Sequence, residues 1–157
     1  MNAITMLERD HARMKRLLAR LDATTPRARI GRRDLFDRIQ AELTVHETIE
    51  EEIFYPALKS HPRARDEILE GIEEHNVVDA LLGELARLSP THETWGAKAT
   101  VMRENVEHHI EDEETDMFEK ARRVFDAAEL KALGARMAAR RVSAKASVRS
   151  LAARRDR

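Results

Sequence analysis

The sequence predicts an all-α protein, an up-down-up-down four-helix bundle followed by a basic C-terminal helix or tail. One observation is composition, since the 157 residues include only five glycines and four prolines, with 36 % charged and 4 % aromatic residues. Such a composition is typical of helices and not of sheets. The other observation is periodicity, because apolar residues recur at steps of three and four, the spacing of one helical face.

The first two helices are predicted from apolar stripes over residues 4–21 and 35–57. The segment 25–31 separates them, since it contains Pro26 and Gly31, and both residue types stop helices. Short connections of this kind place consecutive helices side by side and antiparallel.

The third and fourth helices follow from stripes over residues 68–85 and 102–117, with breaks at Pro62 and Pro90. A fifth helix is predicted to begin at Asp126, because Asp126 and Glu129 have the spacing of a capping box. The predicted organisation is therefore a bundle over residues 1–125 and a basic helix or tail over residues 126–157.

Charge and composition exclude several classes of protein. The net charge of −1 conceals a basic end, since residues 131–157 carry nine Lys or Arg and one acid, a net of +8. No aromatic residue interleaves these charges, so a solvated helix is favoured over a nucleic-acid partner. No apolar run reaches the roughly 20 residues of a membrane span. Without cysteine there is no thiolate site, and the charged N-terminal residues 8–10 argue against a signal peptide. We expect a cytoplasmic protein.

One motif occurs twice. A lone histidine is followed by an HxxxE pair and a closing aromatic residue, with offsets of 64 residues for the lone histidine and 63 for the rest. The predicted metal ligands are these six residues: His11, His46, Glu50, His75, His109 and Glu113. Each HxxxE pair lies on one helical face. Nine residues separate His46 from Tyr55 and His109 from Phe118, so His109 faces inward and the adjacent His108 faces solvent.

These ligand types indicate a particular metal chemistry. Buried carboxylates are costly unless they are paired or bind metal. Four imidazoles and two carboxylates exceed the four ligands of one tetrahedral zinc and are too rich in nitrogen for calcium or magnesium. They suit two first-row metals, iron or manganese, each held by two histidines and bridged by the carboxylates.

The pattern resembles the hemerythrin-like (HHE cation-binding) proteins. The resemblance covers about residues 3–120 and includes the segments EEIFYP at 51–56 and EDEETDMF at 111–118. It implies a four-helix bundle around a non-haem di-iron centre, with two iron ions held by the six residues above. Glu50 and Glu113 would bridge the irons, together with an oxo or hydroxo group. Family members carry or sense oxygen, decompose peroxide, act on nitric oxide or help repair iron centres.

Two departures bear on function. Oxygen-carrying members have a second histidine one turn from the third-helix ligand, whereas here Gly71 and Asp79 stand one turn from His75. The carriers also use a longer spacing to an Asp in the last motif. An iron poorer in histidine favours reaction with peroxide, or with nitric oxide, at open positions. The alternatives are an oxygen carrier, store or sensor, and an interaction protein that uses its basic tail while the metal is structural.

Bland interpretations were weighed against these. A buried polar network without metal is disfavoured by the repeat, and a ferritin-like site is disfavoured because residues 8–11 are the only Glu-x-x-His spacing. For Tyr55, core packing is preferred over a role at the metal, because its counterpart in the second copy is Phe118. Trp95 is predicted to pack at one end of the bundle, and Asp79 to be solvated or to support a ligand.

Overall fold

The computed structural model describes residues 1–157 and confirms the all-α fold, with no strand. In chain order the helices are α1 (Ala3–Asp22), α2 (Arg29–Ile49), α3 (Tyr55–Lys59), α4 (Arg65–Arg87), α5 (Trp95–Asp112), α6 (Phe118–Val124) and α7 (Ala127–Arg155). Short 3₁₀ turns at Pro26–Ala28 and Pro62–Ala64 lead into α2 and α4, where the prolines predicted breaks. None of the helices combines the length and the apolar character that crossing a bilayer requires.

Two π turns interrupt what the sequence predicted to be continuous α-helices. Glu50–Phe54 joins α2 to α3, and Glu113–Met117 joins α5 to α6. Each begins at the glutamate of an HxxxE pair, so the two copies of the motif carry the same irregularity. The expectation of unbroken stripes to residues 57 and 117 was therefore wrong, because periodicity does not register one extra residue in a turn.

The core consists of two apolar clusters, one at each end of the bundle. One contains residues from the start of α1, the end of α2, the start of α4 and the second π turn, including Leu7, Ile49, Ile68 and Met117. The other contains the end of α1, the start of α2, the end of α4 and the start of α5, including buried Trp95. This alternation shows that consecutive helices run antiparallel, and it confirms the predicted packing of Trp95. The six predicted ligands lie between the clusters.

Helix α7 lies across the first half of the bundle. It begins with the predicted capping box, in which the Asp126 side chain accepts from the Glu129 N–H at 2.8 Å. It packs mainly against α1, α2 and the first π turn. Gly134 permits this contact, since a Cβ there would lie 2.3 Å from the Met1 carbonyl oxygen and 2.9 Å from the Asn2 carbonyl carbon. The N-terminal end of α1 is thus pressed against α7.

Candidate metal centre

The structure brings the six predicted residues together in the middle of the bundle, and all six are buried. Their ligand atoms form two groups, each with atoms within 4.8 Å of one another. One group comprises His11, His46, Glu50 and Glu113, and the other comprises Glu50, His75 and His109. These groups place His11 with His46 and His75 with His109, the pairing that the sequence predicted.

The two carboxylates lie between the imidazoles of different groups. Glu50 Oε1 is 3.0 Å from His46 Nε2, and Glu50 Oε2 is 3.2 Å from His75 Nε2. Glu113 Oε2 is 3.2 Å from His11 Nε2 and 3.5 Å from His109 Nε2. Each carboxylate therefore has an imidazole nitrogen from both groups beside it, which is an arrangement suited to bridging.

Several inward-facing atoms lack a hydrogen-bond partner, although they lie within ionic distance of one another. They are His11 Nε2, His46 Nε2, both Glu50 oxygens and Glu113 Oε2. Buried polar atoms are nearly always paired, so a group of converging orphans requires an explanation. Nitrogen and carboxylate oxygen donors around a shared space fit first-row metal ions.

The outward-facing nitrogen of every imidazole contacts a carboxylate. The Nδ1 atoms of His11, His46, His75 and His109 lie 2.8, 3.3, 2.8 and 3.3 Å from Glu114, Asp10, Glu51 and Glu74 respectively. A carboxylate on the outer nitrogen fixes the ring orientation and turns Nε2 inward, as it does for metal-bound histidines. The site is thus built for four imidazoles that present Nε2 to its centre.

These outer carboxylates follow the internal repeat. Asp10 and Glu74 are 64 residues apart, and Glu51 and Glu114 are 63 apart. Each member of the first pair supports the HxxxE histidine of its own copy, whereas Glu51 and Glu114 support the lone histidine of the other copy. The sequence analysis considered only Glu114 for such a role, and applying the repeat offset to all acids beside the ligands identifies all four.

Charge at the site is set by the carboxylates. Burial lowers the pKa of His46, but Glu50 and Asp10 outweigh burial and raise it to about 10. Burial also lowers the pKa of His75, while Glu50 and Glu51 raise it to about 11. For the Glu50 carboxyl, burial raises the pKa, yet the two imidazoles hold it well below its usual range. Without metal the imidazoles hold protons, which a cation that binds there displaces.

Tyr55 does more than pack, contrary to the preferred interpretation of its sequence position. Its ring stacks on His75 with centroids 5.6 Å apart, and its hydroxyl donates to Glu113 Oε1 at 2.6 Å. Its counterpart Phe118 stacks on His11 in the same way, at 5.6 Å, without a hydroxyl. Gly71 makes room, because a Cβ there would lie 3.1 Å from the Tyr55 hydroxyl. The repeat therefore gave the position of Tyr55 but not its polar contact.

Replacing Tyr55 by Phe should leave the fold intact and lower the free energy of unfolding of the metal-free protein by about 1.5–3 kcal/mol, the range for hydrogen bonds to charged groups. The structural reason is the loss of the hydroxyl that donates to Glu113. Denaturant unfolding of Tyr55→Phe, Glu113→Gln and the double variant measures this contact as a coupling energy. Additive effects would show that the two side chains do not interact.

The remaining predicted residues lie away from the inner groups. His108 is 67 % exposed and contacts Asp112 at 3.2 Å, so the predicted register of the adjacent histidines is confirmed. Asp79 is exposed and hydrogen bonds with Glu47, whose pKa is raised to about 9 by burial and then by Asp79. Asp79 thus neighbours the site without entering it.

Comparison with known proteins agrees with this geometry. The hemerythrin HHE cation-binding domain matches residues 2–121. The uncharacterised proteins Rv2633c of Mycobacterium tuberculosis and Mb2666c of Mycobacterium bovis are each 35 % identical over 141 residues, 89 % of this chain and 85 % of the relative. The crystal structure of an HHE cation-binding domain-containing homologue of Rv2633c from Mycobacterium kansasii is similar with a TM-score of 0.83 and 30 % identity, over 94 % of this chain and 89 % of that one. With buried His and Glu groups that could hold metal, the chain belongs to the hemerythrin HHE cation-binding domain family.

Proposed function

We propose that the chain binds two iron ions and that the loaded centre reacts with small oxidants, with peroxide as the first candidate and nitric oxide as the second. The observation that carries this proposal is the pair of buried ligand groups that share Glu50. His11 and His46 would hold one iron, His75 and His109 the other, and Glu50 and Glu113 would bridge them. Bound iron would supply Lewis acidity and a change of oxidation state.

Ligand number supports reaction at the metals. Two imidazoles and at most two carboxylates per position leave places that no side chain fills, as in non-haem iron sites that bind exogenous ligands. One turn from His75 stand Gly71 and Asp79, so no further imidazole is available there. The Tyr55 hydroxyl occupies the space beside Gly71 and holds its proton 2.6 Å from Glu113 Oε1.

The surroundings limit what can reach the centre. A cavity of about 20 Å³ adjoins His11, His46 and His109 and is otherwise lined mainly by apolar side chains such as Met14 and Leu43. A single water needs roughly 10–15 Å³, so this space suits a molecule of a few atoms. Its apolar walls keep bulk water from the imidazoles, a protein contribution that suits either turnover or reversible binding of a small molecule.

The proposal predicts a defined outcome for one spectrophotometric series. Protein loaded anaerobically with ferrous ion should contain about two irons per chain, because six ligands of these types serve two metals. Oxygen is added to the diferrous form, the sample is degassed, and peroxide is then added to the diferric form while oxygen evolution is followed. We expect peroxide turnover and no reversible coloured adduct with oxygen.

The controls separate the two classes of function. Glu113→Ala should lose turnover together with iron, whereas His108→Ala should retain both, since His108 faces solvent. A coloured oxygen adduct that disappears on degassing, without peroxide turnover, would instead identify an oxygen carrier, store or sensor. One zinc per chain, or an intact fold that takes up no iron, would contradict the di-iron centre itself.

A further inference from the structure

An acidic cleft lies between α4 and the second π turn, away from the α1 and α2 surfaces that α7 covers. Its volume is about 90 Å³. Carboxylates line it almost completely: Glu67, Glu70 and Glu74 from α4, and Asp112, Glu113 and Asp116 from α5 and the π turn. A single base, Lys120, pairs with Glu67.

The cleft connects solvent with the proposed centre. Glu70 and Asp116 are exposed, whereas Glu113 is only 1 % exposed and its Oε2 has no hydrogen-bond partner. Glu74 lies between them, with Oε1 3.3 Å from His109 Nδ1 and Oε2 buried without a hydrogen-bond partner. At the rim, His108 Nε2 is 3.2 Å from Asp112 and 3.9 Å from Glu74. Oxygen and nitrogen ligands are therefore available from the surface inward.

The first half of the chain shows that these acids are not demanded by the bundle itself. Subtracting 64 or 63 from Glu67, Glu70, Asp112 and Asp116 gives Ala3, Met6, Ile49 and Ile53. Those four residues are buried beneath α7, in one cluster with Leu130, Leu133 and Met137. The equivalent surface is thus apolar and closed in one copy of the repeat and acidic and open in the other.

We propose that this cleft is the route by which divalent metal cations reach the centre, and that Glu74, His108 and Asp112 form the first group they contact. A cleft lined by one sign of charge concentrates ions of the opposite sign and accelerates their association. Hard oxygen ligands hold such cations without the imidazole set that would retain them. The inference rests on the proposed function, since it requires that the six inner residues bind metal.

The test measures how fast the metal-free protein takes up Co²⁺, followed by its visible absorption after rapid mixing. The variant Glu70→Gln/Asp116→Asn removes two charges from the cleft without touching a proposed ligand. Its uptake at low ionic strength should be about three- to tenfold slower, within the range of electrostatic steering. Added salt should slow the wild type more than the variant, because screening removes the same attraction. The final cobalt content should equal that of the wild type.

The matched control is Glu93→Gln/Glu104→Gln, which removes two exposed acids outside the cleft and changes the net charge equally. It should take up cobalt at the wild-type rate. If the cleft variant is no slower than the wild type, or no slower than the control, metal reaches the centre elsewhere and the inference fails alone. A folded wild-type chain that takes up no cobalt would overturn the proposed function together with it.

Discussion

Glu50→Ala should abolish metal binding at both positions, with bound iron falling from about two ions per chain to about none, because a metal site needs its full ligand set. Glu50 is the residue that the two ligand groups share. Its oxygens lie 3.0 Å from His46 Nε2 and 3.2 Å from His75 Nε2, so its loss weakens both positions. Metal analysis after loading and desalting measures the effect.

The same change removes the counter-charge of two buried imidazoles. Breaking a buried ion pair costs about 3–5 kcal/mol, so the metal-free variant should unfold more easily. Glu50→Gln keeps the shape and provides a second variant if Glu50→Ala does not fold. His108→Ala is the control that should retain full metal content, since its side chain is exposed. A folded Glu50 variant that still holds two irons would show that Glu50 is not a shared ligand.

Gly134→Ala should lower the free energy of unfolding by about 2–3 kcal/mol, the cost of forcing extra atoms into a packed contact. The added Cβ would meet the Met1 carbonyl oxygen at 2.3 Å and the backbone nitrogen of Ala3 at 3.0 Å. Either α7 or the first turn of α1 must move, and the second movement breaks the cap that Asn2 provides to Thr5. Denaturant unfolding with a helical circular dichroism probe is the measurement.

Gly83→Ala is the matched control, because Gly83 also lies inside a helix but a Cβ there meets only the tip of Arg87, at 3.7 Å. It should be neutral or stabilising by up to about 1 kcal/mol, the helix propensity difference between the two residues. Equal stabilisation by both substitutions would show that α7 does not press on the start of α1 in solution.

The sequence was sufficient for the fold class and for the placement of the six candidate ligands. The reason is that the repeat, the helical period and the burial cost of charge all constrain the same positions. His108 and His109 illustrate this, because counting back from the closing aromatic residue separated an inward from an outward imidazole. The metal identity and its bridging remain predictions, to be tested by the experiments above.

The contacts that the sequence did not predict are those made between the two copies. Glu51 supports His75 and Glu114 supports His11, across 24 and 103 residues of chain. Only the three-dimensional arrangement brings these pairs together. The reach of α7 is similar, since Arg141 contacts Asp10, which in turn supports His46. No local pattern distinguishes Arg141 from the other basic residues of that helix.

The two π turns have a consequence for the direction of the side chains that follow them. Nine residues of uninterrupted α-helix rotate the chain by about 900°, which would put Tyr55 on the side opposite His46. Fitting one extra residue into a turn takes back about 90–100° of that rotation. The correction occurs in both copies, and it brings Tyr55 against His75 and Phe118 against His11. Removing one residue from the first turn would therefore swing the Tyr55 hydroxyl away from Glu113 while leaving His46 in place.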